Sequence, residues 1–100
     1  KLADLVQATD GQVVSKTLAQ NKYVSITVFA FSKGEEISTH ESDGDALVTV
    51  LEGTGKFIVD GKEYVLNAGE SVVMPARKPH SVHAIESFKM QLTVVFPLER

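Results

Sequence analysis

Cysteine is absent from this 100-residue chain. Disulfides, thiolate nucleophiles and cysteine-ligated zinc are therefore excluded. Basic excess is lacking as well: ten Lys and Arg stand against thirteen Asp and Glu, a formal net charge of −3. No Lys/Arg cluster or aromatic-basic alternation compensates locally, so nothing draws the chain toward nucleic acid. Long apolar runs are missing too, the longest falling far short of the roughly 20 residues that span a bilayer, so no membrane association is expected. The opening Lys1–Gln7 has no signal-peptide apolar stretch, and the expectation is a cytoplasmic protein. Three prolines and seven glycines are enough to mark turns and too few for low complexity. A second core would have too little apolar surface at this length, so residues 1–100 are expected to form a single domain.

What is present is a series of short β-prone runs between turn signals. Phe57–Val59 and Tyr64–Leu66 flank Asp60-Gly61, a pair favoured where a type I′ turn needs positive φ at both central residues. A turn at Asn67-Ala68-Gly69 leads into Ser71–Met74, which Pro75 ends because it has no backbone N–H to donate. Val13–Leu18, Tyr23–Phe31, Ala46–Leu51, His80–Ile85 and Phe88–Phe96 complete a count of about eight strands. Ala46–Leu51 is nearly apolar on both faces, which places it centrally. In Tyr23–Phe31, Val24, Ile26, Val28 and Ala30 share one face. The other carries Tyr23, Phe29 and Phe31, too aromatic to be left wet, so another layer or subunit is expected to cover it. Leu2, Leu5 and Val6 suit either one helical turn or an extended arm. No amphipathic helix of three turns is present, and the pattern predicts an all-β closed structure or jelly roll.

Ser32–Gly44 is polar and acidic. Its Glu35, Glu36, Glu41 and Asp43, with the adjacent Asp45, read as a hydrated loop; no glutamate closes a calcium-loop pattern. Gly53-Thr54-Gly55 opens like a dinucleotide fingerprint, but no third glycine or helix follows, and it reads as a turn. Nucleophile-elbow, phosphate-loop and serine-triad sequence patterns are all missing.

Two stretches, Gly34 to Gly53 and Gly69 to Ala84, resemble the motifs of the cupin family. Gly34, His40 and Gly53 match the first motif, with Ser42 at its second histidine and Ala46 at its glutamate. Gly69, Pro75 and His80 match the second, with Arg77 at its glycine and Ala84 at its asparagine. The resemblance implies a double-stranded β-helix, or jelly-roll barrel, usually dimeric. Residues 1–22 would form an N-terminal arm and strands, and residues 23–96 the barrel. In metal-bearing cupins three histidines and a glutamate hold one metal ion, a donor set suited to Mn, Fe, Ni, Cu or Zn. Only His40 and His80 carry over, so a divalent metal would be weakly bound.

Asp45 is one position from the glutamate slot and Glu41 one from His40, and a one-residue step turns a strand side chain to the opposite face. His83 is likewise out of phase with His80 and is expected to face solvent. The family register places His40, Ser42, Ala46, Val48, His80, Val82 and Ala84 in one interior, with Met74, Met90 and Leu92 contributing. Arg77 and Lys78 form a positive rim at its mouth. A mostly apolar lining with a few polar groups is the profile of a small-molecule pocket. Three functions fit: a small-ligand-binding barrel, a metal-dependent oxygenase or isomerase using His40 and His80, or a structural or regulatory homodimeric barrel. The loss of the acidic ligand favours the first.

Overall fold

The computed structural model describes residues 1–98. A 3₁₀ turn at Leu2–Leu5 precedes nine strands: β1 (Val13–Gln20), β2 (Val24–Phe31), β3 (Glu36–His40), β4 (Asp45–Glu52), β5 (Thr54–Val59), β6 (Lys62–Asn67), β7 (Ser71–Met74), β8 (His80–Ala84) and β9 (Phe88–Val95). They form two antiparallel sheets, ordered β1-β2-β9-β4-β7 and β3-β8-β5-β6. From β2 onward the chain passes repeatedly between the sheets, giving the expected double-stranded jelly roll. β4 lies between β9 and β7, an interior position in its sheet, in keeping with its apolar character.

One core fills the space between the sheets. The first sheet supplies Phe31, Ala46, Val48, Val50, Met74, Phe88 and Met90; the second supplies Phe57, Val59, Leu66, Val82 and Ala84. Phe31 stacks on Phe88 with ring centroids 4.6 Å apart, and Phe57 meets Phe88 edge-on at 6.0 Å. Each fully buried side chain of this size stabilises the fold by about 1.5–3 kcal/mol. At the β5–β6 hairpin, Asp60 and Gly61 have φ of 51° and 81°, the two positive values that a type I′ turn requires.

The aromatic face of β2 is covered by another layer, as expected: Phe31 lies in the core between the sheets and Phe29 packs against it. The opposite face acquires a cover as well. Val28 and Ala30 form a second buried cluster with Val6, which follows the 3₁₀ turn in extended conformation. Lys89 fastens this layer, its Nζ donating to the Ala3 carbonyl at 2.6 Å and pairing with Glu52 at 3.5 Å.

One sequence expectation changes: the acidic stretch, read as a hydrated loop, contains a strand. β3 is an edge strand in which only Ile37 is even half-buried. It has no apolar face to reveal it, and backbone pairing with β8 holds it in place. A bulge interrupts that pairing: Ile37 opposes Val82 and His40 opposes His80, so Ser38 and Thr39 together face Ser81.

Candidate functional site

The register of β3 on β8 sets His40 beside His80, and their Nε2 atoms lie 3.0 Å apart. The rings meet edge-on, with centroids 4.2 Å apart and planes inclined by 71°. His80 is 5% exposed, whereas His40 is exposed on the edge strand and reaches inward only through its ring. This corrects the expectation that both imidazoles project into one interior. β3 lies at the sheet's rim, so its last residue caps the barrel end.

Each ring is also fixed from behind. His80 Nδ1 lies 3.2 Å from the Lys78 carbonyl, and His40 Nδ1 lies 3.0 Å from the Ser38 carbonyl. A carbonyl only accepts, so each of these contacts is made only by a protonated Nδ1, and with both Nδ1 atoms protonated the two Nε2 atoms face each other without hydrogen. All three contacts together take three protons on four nitrogens, one more than two neutral rings provide. One proton or other cation between the rings would complete the set.

A charge on His80 itself is disfavoured. Burial lowers the His80 pKa below 6.5, and the neighbouring His40 lowers it further, partly opposed by the Lys78 carbonyl. The unfolded chain then protonates His80 before the folded chain does. The stability contributed by neutral His80 is complete above about pH 6.5 and is lost as pH falls through its lowered folded value. Melting temperatures measured down this range should fall for the natural chain, and His80→Asn should remove the His80 component of that slope. An unchanged slope in the variant would contradict this assignment.

The remaining predicted residues divide by burial. Ala46, Val48, Met74, Val82, Ala84 and Met90 are buried in the central cluster, and Leu92 packs against it half-buried. Ser42 is half-buried; its Oγ accepts the Gly44 N–H at 3.1 Å, and its carbonyl accepts the Arg77 N–H at 2.7 Å. Arg77 is exposed and keeps the left-handed backbone of the motif glycine, with φ of 61°. Asp45 faces away from the imidazoles, and its Oδ1 accepts the Ala76 N–H at 2.8 Å. It therefore clips the 75–79 loop to the start of β4. A cleft of about 310 Å³ lined by Val59, Asp60, Lys62, Tyr64, Val73, Pro75 and Lys78 opens beside the same loop.

Comparison with known families gives one match, the cupin domain, over residues 27–96. The chain belongs to the cupin family. Solved structures agree. A cupin superfamily protein from Desulfitobacterium hafniense is 33% identical, with a TM-score of 0.92 over 96% of this chain and 88% of its own. A conserved protein of unknown function from Streptococcus pyogenes is 42% identical, with a TM-score of 0.94 over 97% of this chain and 85% of its own. A cupin 2 conserved barrel domain protein from Leptotrichia buccalis is 46% identical, with a TM-score of 0.90; it matches 93% of this chain, which spans 45% of that longer one. No match is found among curated proteins.

The four-ligand metal centre of the metal-bearing cupins does not fit these residues. Among the described residues, no group of three or more His, Asp or Glu side chains is placed to hold a metal ion. The glutamate position is the buried Ala46, and the second histidine position is Ser42, whose hydroxyl serves its own turn. The sequence reading missed the two carbonyls that fix the ring tautomers, at Ser38 and Lys78. It also missed the role of His83, which faces outward as expected but is engaged there by Glu36 at 2.7 Å. Simple alternation from His40 and His80 would set Glu36 and His83 on opposite faces; the β3 bulge, which the sequence does not announce, brings them together.

Proposed function

We propose that this cupin is a small-molecule-binding barrel whose ligand is a weakly acidic organic molecule with an apolar body. The observation that carries the reading is the pair of facing Nε2 atoms 3.0 Å apart at the barrel end, where a ligand acid could supply the one proton that completes the pair's hydrogen bonds. Arg77 and Lys78 on the adjoining loop add positive charge, and together these groups suit a carboxylate. Ala46, Val48, Met74, Val82, Ala84 and Met90 are packed into the core rather than lining a pocket, so the apolar body of the ligand would instead lie in the cleft beside the same loop, against Val59, Tyr64, Val73 and Pro75. The chain would act as one domain, as a homodimer and in the cytoplasm, with no resident transition metal.

Thermal melts in the presence of a chelator test the ligand class. Millimolar benzoate should raise the melting temperature of the natural chain, benzamide should not, and His80→Ala should abolish the rise. Equal effects of the acid and the amide, or a rise that survives in His80→Ala, would contradict the reading.

One observation favours a second reading. Two imidazoles that donate from Nδ1 to backbone carbonyls and keep Nε2 bare are oriented as metal-binding histidines are. A metal-dependent activity at His40 and His80 would then need water or substrate to supply the other donors.

A further inference from the structure

The outer face of the β3-β8-β5-β6 sheet, which the proposed ligand site does not use, holds a hydrogen-bonded Ser–His–Glu series. His83 Nδ1 lies 2.7 Å from Glu36 Oε2, and His83 Nε2 lies 3.0 Å from Ser81 Oγ. The order of partners fixes the protons. Glu36 as a carboxylate can only accept, so Nδ1 of His83 carries the hydrogen. Nε2 of the neutral ring is then the acceptor, and the Ser81 hydroxyl donates to it. A hydroxyl within reach of a base that a third group orients is the arrangement of an activated nucleophile.

The register explains how a plain strand assembles it. Ser81 and His83 are two apart on β8 and so share a face, opposite to that of His80, Val82 and Ala84. Glu36 is the direct cross-strand partner of His83. The β3 bulge falls opposite Ser81, where Ser38 and Thr39 together face that one residue. Bulges put a residue out of the ladder and are enriched beside active sites. Ser81 is 3% exposed, and its hydroxyl lies under the half-exposed His83 ring. So little exposure would let only a short acyl chain reach the hydroxyl, past the His83 ring, and not a folded polypeptide.

We propose that Ser81, His83 and Glu36 form a second site, an acyl-accepting nucleophile for small uncharged esters. In the first half-reaction the Ser81 proton passes to His83 Nε2 as Oγ bonds to the acyl carbon. The ester C–O bond then breaks, and the leaving alkoxide takes the proton from His83. In the second half-reaction water gives a proton to His83 and attacks the acyl-serine carbon. Ser81 Oγ leaves and recovers that proton, releasing the acid. Glu36 stays anionic throughout, holding the ring, and is a positioning residue.

The test uses a short-chain alkyl fluorophosphonate, in which a P–O bond to Ser81 replaces P–F and fluoride and a proton leave. Labelling of the full chain is followed by intact mass and peptide mapping. The expected result is one adduct, on Ser81, absent in Ser81→Ala. The labelling rate should fall about a hundredfold in His83→Ala, the order expected on losing a general base. It should fall by a smaller factor in Glu36→Gln, while Lys16→Ala, on β1 of the other sheet, labels as the natural chain does. Circular-dichroism melts check that each variant is folded. No adduct, an adduct on another residue, or an unchanged Ser81 rate in a folded His83→Ala would each overturn the proposal. The label reports on Ser81 and benzoate stabilisation reports on His80, so failure here is separable from failure of the carboxylate-binding reading.

Discussion

Val48→Asp is expected to leave no cooperatively folded protein. Val48 is 0% exposed and sits mid-strand in β4, opposite Leu92 on one side and Val72 on the other. The cluster around it comprises aliphatic, methionine and phenylalanine side chains, with no basic side chain among its members. An unpaired carboxylate placed there costs several kcal/mol even after relaxation, or is protonated at a cost of similar order. Domains of this size are stable by only about 5–15 kcal/mol, so one such group removes most of the margin. Near-ultraviolet circular dichroism and a thermal melt should show lost side-chain order and no sharp transition. Val48→Ala is the control: it should fold and lose about 1–3 kcal/mol through the missing methyl groups. A Val48→Asp chain that melts within a few degrees of the natural one would mean that this side chain meets water.

Gly53→Ala should be nearly as damaging, for a reason of geometry alone. The residue links β4 to β5 with φ of 76°, a left-handed conformation that costs an L side chain about 1–2 kcal/mol. A Cβ there would also overlap the Ser87 carbonyl and press on Phe88, whose Cβ it would approach to 2.8 Å. Backbone is the obstacle, so no rotamer change relieves it. Phe88 stacks on Phe31 and meets Phe57, and any shift spreads into the core. A loss of about 3 kcal/mol or more is expected in a denaturant titration. Gly61→Ala offers the contrast. Its φ of 81° is also positive, but no atom lies within 4 Å of the added Cβ, so only the conformational cost applies. Equal losses in the two variants would contradict the steric part of the account.

The strands that the sequence revealed are those with a buried face. β4 and β9 alternate or run apolar because each lines the core, and the β5–β6 turn is written in Asp60-Gly61. β3 was illegible for the converse reason: Glu36–His40 buries almost nothing, and pairing with a strand forty residues onward creates it. The same gap hid much of the site. His40 and His80 stand at motif spacings, but their 3.0 Å contact depends on the β3 register, and so does the bulge facing Ser81. The aromatic face of β2 is covered as its composition required, but the cover on the other face was not legible, because Val6 and Lys89 reach it across long sequence separations.

Transition-metal content is the measurement that bears most directly on a ligand-binding barrel in place of a metalloenzyme. Protein produced without a histidine tag and purified without chelator should carry well below one transition-metal ion per chain, with little change in His80→Ala. One ion per chain in the natural protein, lost in a folded His80→Ala, would show that the two imidazoles hold a metal after all.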